Sequence, residues 1–377
     1  MKKVILLFGI FILEFVSAQD SEKIHFDEKY KKEYQGKTKI EIDETKELLH
    51  IMIAMTEVGL ENDDMVEQKG KYYQDVLQHF KKFKDEKIIV KFDSIIKVNP
   101  TNYVFLTGNA ISHEFKDDHL VPDKNFMFPM KEVSSHTKIT VNPIVTYKKE
   151  IEDFAKKTNF RRFYKNQTPY YKTIIKEYNQ QANLEQQWEW LEKAFNTKVN
   201  SYLIFCSPLI NGLNYTSTYD NNYFKQIIMV LPPVSKEKNF SEKQNIVFNT
   251  RIMFTEIDHN YVSGPTKKYA KEIDNALKER EKWVNTKQEG TQYYPTPERV
   301  FDEYMTYGVF YLFCNDKFKD DQSIINYAYN DLNALMKDRG FPKMKEFNNA
   351  LLTFRKKYPN KKIDDWYPEF IESCSQL

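Results

Sequence analysis

Apolar residues recur at helical spacing over much of this chain. Leu48, Leu49, Met52, Ile53 and Met55, behind Asp43 placed as an N-cap, predict a helix within the segment Ile40 to Val58. Tyr72, Tyr73, Val76, Leu77 and Phe80 predict a second. The run from Lys87 to Ile96 then turns β-branched, a composition that favours strand. Pro100, Pro122, Pro129 and Pro143 punctuate the next stretch, where loops and short strands are expected. Helical spacing returns between Tyr147 and Thr197, in segments broken near Pro169 and Asn179. Two apolar runs read as buried strands: Ser201 to Cys206, ended by Pro208, and Tyr223 to Leu231, closed by Pro232 and Pro233. A polar loop with hairpin character joins them. Beyond Ser241 the pattern is helical, with breaks near Gly264-Pro265, Tyr294-Pro295 and Gly340-Phe341-Pro342. Helices, a small sheet and a helical second half predict an α+β fold. The expected lobes are residues 19–263 and 264–377.

The first residues carry a different pattern. Lys2 and Lys3 precede an apolar stretch from Val4 to Val16, and Val16-Ser17-Ala18 offers a small-residue cleavage site. Residues 1–18 therefore read as a cleavable signal, and the protein is expected to be secreted or periplasmic, in a bacterium. No later segment is long and apolar enough to span a bilayer. Lys and Arg total 56 against 54 Asp and Glu, so there is no electrostatic case for nucleic acid or an anionic membrane as partner. Cys206, Cys314 and Cys374 are too widely spaced for a finger-type zinc site and allow at most one intrachain disulfide. Cys206, inside an apolar run, reads as a buried small hydrophobe.

Candidate chemistry lies in the helix from Ile246 to Val262. Its stripe of Ile246, Val247, Met253, Phe254, Ile257 and Tyr261 is apolar, and Thr255, Glu256 and His259 are set into it. Glu256 and His259 are three apart and share a face; Thr255 lies four before His259. This is the register of His-Glu-x-x-His, in which two histidines hold zinc and the glutamate is the general base. Here Thr255 stands where the first histidine would be. Glu303, beside the apolar stripe of a later helix, is the candidate third ligand; Glu298 belongs to that helix's exposed first turn, where an acid complements the dipole. His113 and His119 are six apart, on different faces of any helix, and read as part of a polar loop.

The chain resembles an uncharacterised zincin-like family of exported bacterial proteins, a domain of unknown function related to metallopeptidases. The resemblance covers most of the mature chain. It is carried by Glu47-Leu48-Leu49-His50-Ile51 with Thr56-Glu57, Tyr72-Tyr73-Gln74-Asp75-Val76 with His79-Phe80, and Ser207-Pro208-Leu209 with Gly212. Phe254 to Val262, Glu303-Tyr304-Met305-Thr306 and Arg339-Gly340-Phe341-Pro342 carry it further. It implies a zincin-like α+β fold, with a small mixed sheet packed on helices. It places Glu256 as catalytic base and His259 and Glu303 as metal ligands, with zinc as cofactor and a peptide or protein as substrate.

The departure at Thr255 leaves two routes to a working site. In one, Glu256 is itself a ligand and Asp258 or Tyr307 is the base; in the other, Glu256 remains the base and a ligand comes from elsewhere, His50 or His79 being conceivable. The expected function is a metallopeptidase with an altered motif. The alternative is a catalytically degenerate zincin-fold protein that binds peptide or glycan, and a third class is an envelope assembly protein using its 28 Phe and 25 Tyr as contact surface.

Overall fold

Four strands make the main sheet. In a computed structural model, which describes residues 24–134 and 137–377, they are β1 (Lys37–Glu41), β2 (Ser201–Cys206), β3 (Tyr215–Asn221) and β4 (Phe224–Leu231), ordered β1-β2-β4-β3. The signal expected over residues 1–18 lies outside the described residues. β1, β2 and β4 run parallel, and β3 pairs antiparallel with β4. β2 is buried at every position, as an apolar run covered on both faces must be. β1 forms one edge and exposes Lys37 and Lys39, charges that discourage pairing with another chain. The β3–β4 hairpin turns through Asn222 and Tyr223, at φ 56° and 59°. Two successive left-handed residues suit the twist of a tight hairpin. Asn tolerates that conformation; Tyr, whose Cβ crowds the backbone there, does not.

The described chain divides into two units. The first runs to Tyr178 and takes in Val199–Val234 with the sheet; the second comprises Asn179–Lys198 and Ser235–Leu377. The lobe boundary expected near residue 263 falls inside a single helix of the second unit. The architecture is mixed α+β and mostly helical, with a small mixed sheet. Among the described residues no helix is long and apolar enough to cross a membrane.

Several elements of the first unit depart from the expectations. The β-branched run is a helix, Lys87–Val98, with Ile88, Ile89, Phe92 and Ile96 buried. Those four lie on one helical face, and burying that stripe outweighs the modest strand preference of Ile and Val. Asn102–Asn109 is a helix as well. His113–Lys116 and His119–Pro122, expected as a polar loop, form a two-stranded hairpin. The helix Phe160–Gln181 runs through Pro169 rather than breaking there.

The second unit is built on two long helices. The motif helix, Glu242–Lys268, opens on a capping box: the Ser241 hydroxyl accepts from the Gln244 amide at 3.2 Å, and the Gln244 side chain accepts from the Ser241 amide at 2.8 Å. It continues through Gly264 and Pro265, where a break was expected. The facing helix, Pro297–Lys317, starts on Thr296 as N-cap with proline at its first position. The two pack lengthwise, with Phe254 of one against Phe310 and Phe313 of the other, ring centroids 5.6 and 4.8 Å apart. Each ring so buried contributes about 1.5–3 kcal/mol. On the far side of the facing helix, Phe301 meets Phe347 and Phe370 of the helices Met344–Lys357 and Ile363–Cys374. Cys206, Cys314 and Cys374 are all buried free thiols, as read for Cys206.

Candidate functional site

The apolar stripes of the motif and facing helices bring polar side chains into the same dry contact. Thr255, Glu256, Asp258, His259 and Ser263 come from the motif helix, and Asp302, Glu303 and Thr306 from the facing helix; all are buried. The three residues singled out from sequence, Glu256, His259 and Glu303, are 5%, 2% and 1% exposed. Glu303 and Glu256 lie close enough to His259 to act on its charge.

His259 is oriented through Nδ1. That nitrogen lies 3.2 Å from the Thr306 hydroxyl and 3.4 Å from Asp302 Oδ2. Thr306 donates its own proton to the Asp302 carbonyl at 2.9 Å, so its oxygen is left to accept from Nδ1–H. Ser263 donates to Asp302 Oδ2, the side-chain oxygen nearest His259, at 3.0 Å. Burial works against a charged imidazole, but the Asp302 hydrogen bond and charge, with Glu303 and Glu256, overcome it and raise the His259 pKa. The imidazolium is thereby favoured.

Glu303 has a different partner. Its Oε1 lies 2.8 Å from an Arg339 Nη2, in a close ion pair rather than an aligned hydrogen bond. The same Nη2 donates to the Tyr294 hydroxyl at 3.0 Å, and the guanidinium sits over the Tyr307 ring, 5.0 Å from its centroid. Burial opposes the charge on Arg339, but Tyr307, Tyr294 and Glu303 hold it in place.

The remaining carboxyls have no such support. Burial pushes Glu256 up to about 7, a rise that Glu303 adds to and that His259 and Arg339 partly offset. Asp258 is fully buried and, among the described residues, neither of its oxygens has a hydrogen-bond partner. Burial, reinforced by Asp302, Glu303 and Glu256, raises its pKa well above the ordinary carboxylate value and so favours the neutral acid. Of the four carboxyls, Asp302 faces His259 and Glu303 faces Arg339.

Thr255 does not replace the missing histidine. Its hydroxyl donates to the Arg251 carbonyl, one turn back, at 3.0 Å. His50 and His79, the conceivable replacements, belong to the first unit, where His50 packs near Tyr103 and His79 Nε2 lies 2.7 Å from the Thr158 carbonyl. Of the alternative bases, burial raises Asp258 well above the ordinary carboxylate value and pushes the Tyr307 phenol up to about 12. Among the described residues no three His, Cys, Asp or Glu side chains are grouped to hold a metal ion. The local cause is visible in the pairing: the carboxylate expected as third ligand already faces a cation, and the Thr255 hydroxyl is engaged by its own helix. As arranged, these side chains do not fit a zinc ion.

Sequence reasoning missed Asp302, Thr306 and Ser263 as the groups that orient His259. Asp302 and Thr306 are four apart and share a face of the facing helix, a legible signal, whereas their meeting with His259 is not. Arg339 was quoted without a role, because nothing local ties it to a glutamate 36 positions earlier. Comparison with protein-family models, with curated proteins and with solved structures finds no match for this chain.

Proposed function

We propose that this is an exported, zincin-like protein whose hydrolytic site is closed by an internal cation, and that it binds peptide rather than cleaving it. The observation that carries the reading is the Arg339 guanidinium against the Glu303 carboxylate. In a zincin that carboxylate would serve a dication. A guanidinium there satisfies the same negative charge and would repel a metal approaching it. Thr255 removes a second ligand, and what a zincin-like scaffold keeps when its metal is lost is its ability to hold an extended chain.

Two features favour the other reading, a metallopeptidase with an altered motif. Glu256, at about 7, is poised as a general base, and His259 is held through Nδ1 by a carboxylate, as metal-ligating imidazoles commonly are. One experiment separates the two: metal content and peptide-library turnover of the wild-type chain, of Thr255→His, and of Thr255→His combined with Arg339→Leu. The closed-site reading expects a metal-free, inactive wild type and zinc uptake only when the histidine is added and the guanidinium removed, with peptides captured intact by the wild type. Wild-type protein that holds zinc and cleaves peptides would overturn it.

A further inference from the structure

The helix Phe160–Gln181 carries a charge that the chain as a whole does not. Lysine and arginine nearly balance the acids over the full sequence, 56 against 54, yet this helix sets Arg161, Arg162, Lys165, Lys172 and Lys176 against Glu177 alone. Its buried side chains are Phe160, Phe163, Tyr171, Ile174 and Tyr178, which at about 3.6 residues per turn fall on one face. Arg162, Lys165, Lys172 and Lys176 occupy the opposite face, and all four are exposed. They form a stripe roughly 20 Å long, within an arc of about a quarter turn. Arg161, at the edge of that arc, pairs with Glu44 at 2.8 Å.

The other four cations are not neutralised. Among the described residues, none of their side chains makes an ion pair or a hydrogen bond. Elsewhere an acid stands four positions from an exposed lysine and pairs with it, as in Lys71 with Asp75, Lys149 with Asp153 and Lys193 with Glu189. Here Arg161 precedes Lys165 by four, Lys172 precedes Lys176 by four, and Arg162 precedes Lys165 by three. Like charges at these spacings weaken a helix, and an anion lying along the stripe relieves the repulsion.

The form of the stripe selects among anions. It is linear and one helix wide, which suits a single extended polyanion rather than a broad surface. Tyr170 is the one large apolar side chain exposed on this helix, and its ring is stacked on Tyr72, centroids 5.7 Å apart. The helix therefore offers neither an apolar wedge for a bilayer nor a row of free rings for nucleobases. Asn166 and Thr173, exposed beside the cations, supply polar groups that match sugar hydroxyls. We propose that Arg162, Lys165, Lys172 and Lys176 bind a linear acidic polysaccharide, one that carries carboxylate or sulfate groups along its chain. The inference goes beyond the reading of the motif helix and does not depend on it.

The test is binding of a fluorescently labelled polygalacturonate oligomer to the full chain, read by anisotropy as salt is raised stepwise. The expected result is binding at low ionic strength that weakens steeply with salt. Neutralising the stripe, with Arg162→Gln, Lys165→Gln, Lys172→Gln and Lys176→Gln together, should weaken it about tenfold or more. Lys172→Gln with Lys176→Gln removes one repelling pair, leaves the helix at least as stable, and should weaken binding by about threefold or more. A control with the same change in net charge, Lys236→Gln, Lys271→Gln, Lys278→Gln and Lys287→Gln in the second unit, should leave it unchanged. No binding by the wild type would overturn the proposal, as would equal weakening in the stripe and control variants. Tighter binding of oligothymidylate or of phosphatidylglycerol vesicles than of the polysaccharide at the same salt would overturn it in favour of nucleic acid or membrane.

Discussion

Arg339 and Glu303 meet at 2.8 Å with the carboxylate 1% exposed, so each charge depends on the other for its solvation. Removing one partner leaves the other stranded. Arg339→Leu is expected to cost about 3–5 kcal/mol, and adding Glu303→Leu should recover a large part of that loss, because the pair's cost lies in breaking it rather than in lacking it. Urea unfolding of the two single variants and the double variant checks this. Additive losses would show that the two side chains are not energetically coupled.

His259 owes its raised pKa chiefly to Asp302, against the pull of burial. Asp302→Asn should therefore lower it. Because the folded pKa is raised, the charged pair contributes fully below the unfolded value near 6.5 and its contribution is lost as pH rises through the folded value. Titration of the His259 ring protons by NMR reads the shift directly. An unchanged midpoint in Asp302→Asn would contradict the pairing.

Glu256 titrates at about 7 when folded, above the ordinary carboxylate range. The folded chain thus holds this proton more tightly than the unfolded chain. Its contribution is complete below about pH 4.5 and is lost as pH rises through 7. Glu256→Gln is permanently neutral and escapes that loss, so it should gain on wild type by roughly 2–3 kcal/mol between pH 5 and pH 8. Comparing unfolding free energies of the two proteins at those pH values isolates this residue from others that titrate. A constant difference across the window would mean that Glu256 is not held in a dry site.

Tyr223 is fully exposed and sits at φ 59° in the tight β3–β4 turn. It buries nothing there and pays a steric cost that glycine would avoid. Tyr223→Gly should stabilise the first unit by about 0.5–1 kcal/mol despite glycine's greater freedom when unfolded. Thermal denaturation of the variant, with a rise in midpoint expected, is the check; a fall would show that the tyrosine makes a contact worth more than the strain.

Local pattern was enough for much of the scaffold. The Ser201–Cys206 and Phe224–Leu231 strands, the helix behind Asp43, and the motif helix beginning at Ser241 were legible because caps, prolines and apolar period act between residues close in the chain. The shared face of Glu256 and His259 followed from helix geometry in the same way. Where composition and period disagreed, as over Lys87–Val98, the period of the buried face prevailed, because only packing against other elements rewards it.

What the sequence determined by itself is therefore the two apolar strands, the helices whose period and caps are strong, and which polar residues are set into apolar stripes. Only the tertiary structure decided what those residues meet: Glu303 faces Arg339, His259 faces Asp302, and Glu47 accepts from the Tyr72 hydroxyl. The reason is physical. A buried charge is controlled by the few ångströms around it, and the groups that fill that space come from helices whose separation along the chain carries no signal of their contact.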